Sequence, residues 1–407
     1  MELLYSIYHF ALAMFGAFLY GYPSQKILLI GVTGTKGKTS TVEMLSAILE
    51  EAGYTTAVLN SIRIKIAADS TSNEMRMSMP GRFYIQRFLS KALRAQCSAA
   101  IIEMTSEGAR QYRHRGVALD ALIFTNLAPE HIESHGSYEK YADAKFELGL
   151  QLARSSKRPR IIVANAQDAQ STRYLALPVE EKISYSLKDT PHVSSETGGR
   201  FTFDGVDIAM SLPGEFSLQN ALAATTLARA LGVKTETIAR ALEHMKDIPG
   251  RAQHIDEGQD FTVIVDYAHT PDSLKALYDA YANSRKICVL GATGGGRDAW
   301  KRPVLGKIAE EYCAEIILTD EDPYDENPTG IVLALASGMS KPPTIIMDRR
   351  EAIACALSLA KTGDAVLITG KGTDPCICGP KGTKTPWSDA QITREELEKI
   401  KMVNSIP

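Results

Sequence analysis

The sequence is poor in cysteine and tryptophan and has no excess of charge of either sign. Its 407 residues include 6 Cys and 2 Trp, and the formal net charge is -3. This charge excludes a general electrostatic attraction to nucleic acid or to an anionic membrane. The cysteines are widely spaced except for Cys376 and Cys378, so no disulfide framework is visible and we predict reduced thiols. Because no second cysteine pair or nearby His completes a zinc site, the Cys-x-Cys pair does not predict a metal.

Charge is missing altogether from residues 3–25, which contain no Asp, Glu, Lys or Arg. The stretch LLYSIYHFALAMFGAFLYGY is long enough to cross a bilayer. An apolar face recurs at helical spacing and consists of Tyr5, Tyr8, Leu12, Phe15, Leu19 and Tyr22. No basic residue precedes the run, which argues against a cleaved signal peptide. The segment could dock on the protein itself, lie in a membrane interface or span the bilayer, and its aromatic content and single His favour the first two.

The rest of the chain alternates short apolar runs with amphipathic helical patterns. Apolar runs such as Ile27–Gly31, Ala99–Met104 and Ala121–Leu127 are candidate strands. Alternation of this kind predicts an α/β fold with mostly parallel sheets covered by helices. A Pro- and Gly-containing stretch at Asp247–Gln253 precedes a second alternation, and the length suits two or three domains. We therefore expect domains at 26–247 and 248–407 after a hydrophobic helix at 1–25.

A glycine- and threonine-rich turn, TGTKGKTST, follows the first strand candidate. Gly34 and Gly37 would let backbone N–H groups approach phosphate oxygens, and the next helix would point its N-terminus at the same anion. Lys38 adds a positive charge, and the hydroxyl of Thr39 can reach a magnesium ion. The turn differs from a standard P-loop because Val32 stands where that pattern has its first glycine.

The sequence of this turn, including Thr35 and Ser40, resembles that of the Mur ligase family, and the resemblance extends from about Lys26 to the end of the chain. It implies a central P-loop-type domain, a C-terminal Rossmann-like domain, and ATP and Mg²⁺ as cofactors. It also implies an ATP-dependent ligase that joins an amino acid to a carboxylate acceptor through an acyl phosphate, in the synthesis of cell-wall peptides. The branch of the family with the longest matches adds the third residue of the peptidoglycan stem.

Three further motifs extend the resemblance within the first predicted domain. In IEMTSEG, Glu103 resembles the family's magnesium-binding glutamate, although Glu107 stands where the family usually has His. In FTNLAPEHIESHG, His131 resembles a second ligand of metal or phosphate, and Glu130 replaces the usual Asp. In YADAKFELG, Lys145 aligns with a lysine that is often carbamylated in the family. The resemblance thus implies catalytic roles for Lys38, Glu103, His131 and Lys145.

The resemblance also implies residues that contact the nucleotide and the amino acid. Nucleotide contacts are expected from Asn220 in GEFSLQNALAA, Arg251 in PGRAQ, and Asp266 and His269 in VDYAHTPDSL. Substrate contacts are expected from Arg297, Lys301 and Arg302 in GATGGGRDAWKRP, from Asp322 and Tyr324 in TDEDPYDENP, and from Gly370 and Asp374 in GKGTDP.

Two of these motifs depart from the family pattern at positions that select the amino acid. Tyr324 replaces an arginine that holds the distal carboxylate of diaminopimelate, and Asp374 replaces a glutamate. The loop around Tyr324 is acidic, so it would repel a distal carboxylate and attract a cationic side chain such as that of lysine or ornithine. A solvated acidic turn with no role in selection is the alternative.

The N-terminal part of the chain also departs from the family pattern, because members of the family carry a domain that binds the UDP of a sugar nucleotide. Only the hydrophobic segment precedes the phosphate loop, so we expect an acceptor without UDP or a different surface that holds it. The expected partners are an amino acid and a carboxylate acceptor, without nucleic acid, and residues 3–22 leave peripheral membrane contact open. We expect a cytoplasmic location, where ATP is present. Two alternatives remain: a ligase of poly-amino-acid or folate-glutamate type, and a membrane-associated nucleotide-binding protein that does not ligate.

Overall fold

The computed structural model describes residues 2–130, 132–296 and 298–404. The helices are α1 (Glu2–Leu19), η1 (Pro23–Lys26), α2 (Lys38–Glu51), α3 (Arg82–Arg94), α4 (Ser106–Arg110), α5 (Ile132–His135), α6 (Tyr138–Ala153), α7 (Ser171–Leu175), α8 (Glu215–Ala230), α9 (Thr235–His244), α10 (Pro271–Ala280), α11 (Lys301–Tyr312), α12 (Pro328–Ala336), α13 (Arg349–Leu359), η2 (Pro380–Gly382) and α14 (Asp389–Asn404), where η marks 3₁₀ turns.

The strands are β1 (Leu28–Thr33), β2 (Thr56–Leu59), β3 (Arg63–Ile66), β4 (Asp69–Ser72), β5 (Ala99–Met104), β6 (Ala121–Phe124), β7 (Ile161–Asn165), β8 (Glu181–Tyr185), β9 (His192–Ser195), β10 (Gly198–Phe203), β11 (Val206–Met210), β12 (Gln253–His254), β13 (Thr262–Asp266), β14 (Lys286–Leu290), β15 (Glu315–Leu318), β16 (Thr344–Ile345), β17 (Ala365–Thr369), β18 (Cys376–Cys378) and β19 (Lys384–Pro386). The chain divides into two compact units, the first containing residues up to 193 with 199–211 and 216–246, and the second containing the remaining described residues.

The first unit is built on a mainly parallel sheet, which confirms the predicted fold class. The strand order is β4-β3-β2-β5-β1-β6-β7-β8, and only β3 and β4 join antiparallel to their neighbours. In the centre, Ile30 of β1 lies between Ile101 of β5 and Ala121 of β6, and all three are buried. Strands covered on both faces need continuous apolar runs, which is why the sequence shows runs there rather than alternation. The carboxyl ends of β1, β5 and β6 therefore meet at one edge of the sheet, after Thr33, Met104 and Phe124.

The second unit has its own sheet and its own apolar core. Its strand order is β12-β13-β17-β14-β15-β16, with β12 antiparallel and the other pairings parallel. Its core includes Val265, Val289 and Ile368, which are fully buried. A parallel sheet with helical crossovers is the Rossmann-like arrangement that the resemblance implies.

Helix α1 covers Glu2–Leu19 of the segment expected to be helical, and it ends in a turn closed by a hydrogen bond from Tyr22 N–H to the Ala17 carbonyl. Gly21 and Tyr22 have φ of 69° and 52°, the left-handed geometry that commonly ends a helix. Among residues 7–19 of α1, the buried ones are His9, Ala13, Gly16 and Ala17. The predicted apolar face lies on the other side, where Tyr8 and Leu19 are exposed. Within the described residues, no helix has the length and apolar character needed to cross a membrane.

The prediction that all cysteines are reduced is wrong for one pair. Cys288 at β14 and Cys313 just after α11 form a disulfide, with a Cα–Cα distance of 6.2 Å. Cys313 lies two residues before β15, and the parallel pairing of β15 with β14 brings it beside Cys288, which the sequence spacing does not reveal. Cys376 and Cys378 are buried and form no disulfide with each other, with a distance of 3.9 Å between their sulfur atoms.

Candidate functional site

The phosphate loop at the end of β1 is held by residues at the end of the neighbouring strand β6. The Thr35 N–H donates to the Asn126 carbonyl at 2.8 Å, and the Lys36 N–H donates to the Asn126 side-chain oxygen at 2.9 Å. A Cβ added to Gly34 would lie 1.9 Å from the Thr125 hydroxyl oxygen, so only glycine fits there. These contacts hold the loop in an open turn around the N-terminus of α2, where backbone N–H groups have no partners within the helix.

Helix α8 supports the same loop from a second side. Gly37 has a φ of 78°, and a Cβ added there would lie 2.1 Å from the side-chain oxygen of Asn220. Asn220 is buried, and Ser40 is buried one turn into α2. Asn220 therefore packs against the loop backbone, and its predicted contact with the nucleotide base stays a prediction.

Glu103 at the end of β5 is the centre of a buried polar cluster. Its carboxylate accepts hydrogen bonds from the Thr39 hydroxyl at 2.8 Å, from the Ser61 N–H at 3.2 Å and from the Ser78 hydroxyl at 2.9 Å. The Lys38 ammonium lies 3.9 Å from the same carboxylate and donates to a loop carbonyl. The structure thus brings together three of the predicted residues at the strand edge.

Two members of this cluster, Ser61 and Ser78, were missed by the sequence prediction. Ser61 also lies 2.9 Å from Thr39, measured between the hydroxyl oxygens. Ser61 follows β2, whose parallel pairing with β5 brings its end beside Glu103. Its position directly after an apolar strand candidate is a signal that could have identified it, whereas Ser78 has no comparable signal.

The cluster has the chemical character of a magnesium site, although the structure contains no ion. Carboxylate and hydroxyl oxygens are the ligands that Mg²⁺ prefers, and this ion usually keeps water and substrate phosphates as its other ligands. The oxygens of Thr39 and Glu103 lie 2.8 Å apart and are buried, so both could bind one ion. Among the described residues, no group of three or more His, Cys, Asp or Glu side chains could hold a metal by itself. His131, the other predicted ligand, lies outside the described residues.

Lys145 projects from α6 toward the phosphate loop and is buried. Its ammonium donates to the Gly34 carbonyl at 2.6 Å and lies 4.9 Å from the centre of the Tyr141 ring. Burial lowers the pKa of Lys145 well below its usual value, and the charge of Lys38 lowers it further. Lys145 is therefore not a solvated surface lysine of α6.

Tyr141, which the sequence prediction did not single out, connects the loop with the following helices. Its hydroxyl lies 2.9 Å from the Thr35 hydroxyl, and its ring packs edge-on against His135. Burial raises the pKa of the Tyr141 hydroxyl, and the nearby Glu130 raises it further. Tyr141 therefore stays protonated at neutral pH and can keep its hydrogen bond with the loop.

In the second unit, three residues predicted to contact nucleotide gather where β13 ends. The Asp266 carboxylate accepts from the N–H groups of Ala252 at 2.5 Å and Ala268 at 2.6 Å. The Arg251 guanidinium lies 4.6 Å from the centre of the Tyr267 ring, and His269 packs edge-on against the same ring. Desolvation raises the pKa of the Asp266 carboxyl, although the Ala252 N–H acts in the opposite direction. The nucleotide contacts of this group stay a prediction.

Asp322, a predicted substrate residue, makes contacts within the protein in this structure. Its carboxylate accepts from the Lys371 ammonium at 2.8 Å and from the Cys378 N–H at 2.7 Å, and the side chains of Asp322 and Lys371 are buried. Asp374 lies 3.6 Å from the same ammonium. Tyr324 has a φ of 52° and donates its N–H to the Cys378 carbonyl at 2.9 Å. The hydrogen bond from Cys378 joins the acidic loop to the β18–β19 hairpin, and the ion pair with Lys371 compensates part of the loop's charge.

Arg302, also predicted to contact substrate, forms a bidentate ion pair with Glu326, with nitrogen–oxygen distances of 2.6 and 2.9 Å. Lys301 begins α11 and is buried, and Arg297 lies outside the described residues. Binding of substrate by Arg302 would require competition with Glu326, so this structure favours a structural role for Arg302.

Glu321 is a residue that the sequence analysis did not single out as a site residue. One carboxylate oxygen accepts from the Thr293 hydroxyl at 2.7 Å, and the other has no hydrogen-bond partner among the described residues. A Cβ added to Gly370 would lie 2.3 Å from that second oxygen. Glu321 is 3% exposed, so this carboxylate lies beneath the surface at the ends of β15 and β17.

Comparison with protein-family models gives two matches that together cover most of the chain. A model described as Mur ligase middle domain matches residues 32–228. A model described as Mur ligase, glutamate ligase domain matches residues 250–372.

Curated proteins show the same relationship over nearly the whole chain. The UDP-N-acetylmuramyl-tripeptide synthetase of Roseiflexus sp. (strain RS-1) is 36% identical over 421 residues, covering 96% of this chain and 82% of the relative. The UDP-N-acetylmuramoyl-L-alanyl-D-glutamate--2,6-diaminopimelate ligase of Bacillus cereus is 34% identical over 378 residues, covering 89% and 76%.

Solved structures agree with this fold. A UDP-N-acetylmuramoyl-L-alanyl-D-glutamate--2,6-diaminopimelate ligase has a TM-score of 0.63 and 26% identity, covering 92% of this chain and 79% of that one. The folylpolyglutamate synthase of Mycobacterium tuberculosis, complexed with ADP and AMPPCP, has a TM-score of 0.71 and 16% identity, covering 91% and 93%. At that identity, the second likeness is evidence for the fold alone.

Proposed function

This chain belongs to the Mur ligase family of ATP-dependent acid–amino-acid ligases in peptidoglycan synthesis, and we propose that it adds an amino acid to the stem peptide of a muramyl precursor. The observation that carries the proposal is the cluster of Lys38, Thr39 and Glu103 beside the phosphate loop. Its charges and oxygens suit the γ-phosphate of ATP and a magnesium ion.

In the first step, an acceptor carboxylate oxygen attacks the γ-phosphorus of ATP. A phosphorus–oxygen bond forms to the carboxylate, the bond to ADP breaks, and the products are an acyl phosphate and ADP. Lys38 and the N–H groups at the start of α2 would stabilise the charge on the phosphate oxygens. Thr39 and Glu103 would hold magnesium, which supplies further charge neutralisation when bound.

In the second step, the uncharged amine of the amino acid attacks the acyl carbon. An amide bond forms, the carbon–oxygen bond to phosphate breaks, and the amine loses one proton. Most of the rate in such a reaction comes from positioning and from charge neutralisation, so we expect rigid supports around the loop to matter. The hydrogen bonds from Asn126 and the packing of Asn220 provide that support.

We further propose that Lys145 is carbamylated. Its lowered pKa favours the uncharged amine, which can attack carbon dioxide, form a nitrogen–carbon bond and release a proton. The product is an anion beside the loop that could support magnesium. Labelling with ¹³C-bicarbonate should give a carbamate signal that Lys145→Arg removes, while Lys140→Arg on the exposed side of α6 retains it. Full activity with an unmodified Lys145 would contradict the proposal.

The loop after β15 leads us to propose an amino acid with a cationic side chain. Asp322 is neutralised by Lys371, but Glu321 keeps one oxygen without a described partner, and Tyr324 supplies no positive charge for a distal carboxylate. The wild type should therefore prefer lysine or ornithine over diaminopimelate, which the names of several relatives give as their substrate.

Exchange of Tyr324 tests this preference. Tyr324→Arg should raise kcat/KM for diaminopimelate relative to lysine by at least about tenfold, because it supplies a charge-assisted partner for the distal carboxylate. Tyr324→Phe is the matched control and should keep the wild-type preference. A wild type that already prefers diaminopimelate would overturn the proposed selection without affecting the ligase assignment.

The ligase reaction itself is tested by release of phosphate from ATP. The assay pairs muramyl dipeptide acceptors, with and without UDP, with a panel of amino acids. We expect release that needs both substrates and that Lys38→Ala abolishes. Phosphate release with only folate or a peptide as the acceptor would favour a different ligase. If no amino acid changes the phosphate release with any acceptor, the result would favour a nucleotide-binding protein that does not ligate. Because the reaction consumes ATP, we propose that it takes place in the cytoplasm.

A further inference from the structure

Helix α1 presents a broad apolar surface outward from the first unit. Its exposed apolar side chains are Ile7, Tyr8, Phe10, Phe15, Phe18 and Leu19. Phe18 and Leu19 expose 67% and 60% of their surface. At 100° per residue, all six lie on one half of the helix, and no charged residue interrupts them between positions 3 and 25. A contiguous exposed apolar surface of this kind marks an interaction site.

The opposite side of α1 is anchored to the protein through small residues. Ala13 and Ala17 are buried, and a Cβ added to Gly116 would lie 2.7 Å from the Cβ of Ala17. A Cβ added to Gly16 would lie 3.1 Å from the ring of Phe83 in α3. Close packing on this side holds α1 flat against the unit. The exposed half is therefore a permanent feature of the folded surface.

The adjoining helix α3 contributes positive charge. Residues 82–94 contain three Arg and one Lys and no acidic residue. Arg87, Lys91 and Arg94 are exposed, share one side of α3 with Phe83, and form no ion pair with a carboxylate among the described residues. The ring of Phe83 packs edge-on against that of Phe15, with 6.4 Å between ring centres. The basic row thus begins where the two helices touch.

This concentration of positive charge contrasts with the chain as a whole, whose formal net charge is -3. The six exposed apolar residues of α1 together with Arg87, Lys91 and Arg94 are called here the α1–α3 face. Apolar and aromatic side chains next to a basic row match the chemistry of an anionic bilayer, whose interface accepts the first and whose phosphates attract the second.

We propose that the α1–α3 face docks on the surface of a bilayer that contains anionic lipid. The exposed half of α1 enters the interfacial region, and the basic row of α3 meets lipid phosphates. A twofold contact between two copies would place each basic row against the same surface of its partner, and like charges would oppose it. Because the other half of α1 packs on protein, the helix lies along the membrane.

The test is sedimentation of the full chain with vesicles of phosphatidylglycerol and phosphatidylcholine, compared with vesicles of phosphatidylcholine alone. We expect binding to the anionic vesicles that weakens as salt is raised. Arg87→Gln, Lys91→Gln and Arg94→Gln combined should weaken it on the order of 100-fold, since each basic residue near an anionic surface contributes about fivefold. Phe18→Ser with Leu19→Gln should also weaken it.

Matched controls distinguish an effect of the α1–α3 face from a general effect of removing positive charge or apolar surface. Lys182→Gln, Lys188→Gln and Lys234→Gln remove three exposed charges elsewhere in the first unit, and Leu333→Gln removes an exposed apolar residue of α12. These controls should bind vesicles like the wild type. Unchanged thermal midpoints and unchanged phosphate release without lipid would show that the α1 and α3 variants fold.

Three results would overturn the proposal. The first is no binding to anionic vesicles. The second is binding that the triple substitution in α3 leaves unchanged. The third is a concentration-dependent dimer without lipid that Phe18→Ser with Leu19→Gln abolishes, which would assign the face to a second copy of the chain. None of these readouts uses the ligase reaction, so failure here and failure of the proposed function are distinguishable.

Discussion

At the scale of single residues, the contact between Thr39 and Glu103 is the most informative test of the site. Replacing Thr39 by Val keeps the shape of the side chain but removes the oxygen that lies 2.8 Å from the carboxylate. We expect kcat to fall on the order of 100-fold, as for the loss of one oriented polar group in a closed site. The Mg²⁺ concentration needed for half-maximal rate should rise.

Thr39→Ser is the matched control because it keeps the hydroxyl. It should retain most of the wild-type rate and the wild-type dependence on Mg²⁺. If Thr39→Val behaves like Thr39→Ser in both measurements, the hydroxyl has no part in holding the metal and that assignment fails.

His114 provides a second prediction at this scale, concerning stability and pH. The side chain is buried, and neither ring nitrogen has a hydrogen-bond partner among the described residues. Burial lowers the pKa of His114 from 6.5 to about 3, with smaller contributions from the charges of Arg115 and Arg154. Between those values the unfolded chain binds a proton that the folded chain does not. The contribution of His114 to the free energy of unfolding is therefore fully present above pH 6.5 and is lost as the pH falls toward 3.

At pH 5 this single group should lower the free energy of unfolding by about 2 kcal/mol. His114→Leu removes the proton site and should give a flatter stability curve between pH 7 and pH 5, measured by urea unfolding. His254→Leu, at an exposed position, is the control. Parallel curves for the wild type and His114→Leu would contradict the assignment of this pH dependence to His114.

The residues of the site differ in how far the sequence could predict them. Lys38, Thr39 and Glu103 lie at strand ends or at the start of a helix, where parallel sheets bind their ligands. The sequence pattern was therefore sufficient to predict that these residues lie close together. Ser78 could not be predicted, because its approach to Glu103 depends on how the chain returns from β4 to α3. Asp322 was predicted as a substrate residue, but its partner Lys371 comes from a distant strand end that a local motif does not pair with it.

At the scale of elements, the start of α2 depends on a glycine that no other residue can replace. Gly37 has a φ of 78°, and a Cβ there would lie 2.1 Å from the Asn220 side-chain oxygen. Gly53, at the other end of the same helix, has a φ of 90° and nothing within 4 Å of such a Cβ. Gly53→Ala should cost about 1–2 kcal/mol of unfolding free energy from backbone strain alone.

Gly37→Ala should cost more than Gly53→Ala, because it adds the steric conflict with Asn220 to the same strain. Urea unfolding of both variants measures the difference. Adding Asn220→Ala to Gly37→Ala should recover part of it, since the shorter side chain removes the conflict. Equal costs for the two glycines would mean that α8 moves away from the loop without penalty.

Periodicity predicted long elements well and short polar ones badly. The helical pattern of apolar residues in the sequence predicts a helix at Tyr138–Ala153, and α6 has those bounds. Strands β3 and β4, at 63–66 and 69–72, were not predicted. The alternation of Ile64 and Ile66 with charged residues in β3 spans only four residues, and β4 consists of exposed polar residues. The packing face of α1 was also not foreseen. Alanine and glycine there allow close approach, and a count of large apolar residues selects the opposite side.

At the scale of the whole molecule, two separate cores follow from the double alternation of strands and helices in the sequence. The disulfide between Cys288 and Cys313 could not be predicted in this way. The two residues are 25 positions apart, and they approach because β15, which begins two residues after Cys313, pairs with β14. Spacing along the chain carries no information about that approach, and the prediction of reduced thiols rested on that spacing.

Binding of nucleotide should be visible as a change in stability of one unit of the chain. A ligand present at 100 times its Kd stabilises the folded state to which it binds by about 2.7 kcal/mol. We expect ADP with Mg²⁺ to slow hydrogen exchange in β1 and α2, which flank the phosphate loop. Hydrogen exchange is the suitable measurement because a chain with two cores does not have to unfold in one step.

Lys38→Ala should lose most of this protection, since it removes a positive charge from the phosphate site. Lys140→Ala is the matched control, because it removes an exposed lysine of α6 in the same unit. It should leave the protection unchanged. Protection of β1 and α2 by ADP that is equal in the two variants would show that the nucleotide does not bind at this loop, and the proposed role of Thr39 and Glu103 in catalysis would fail with it.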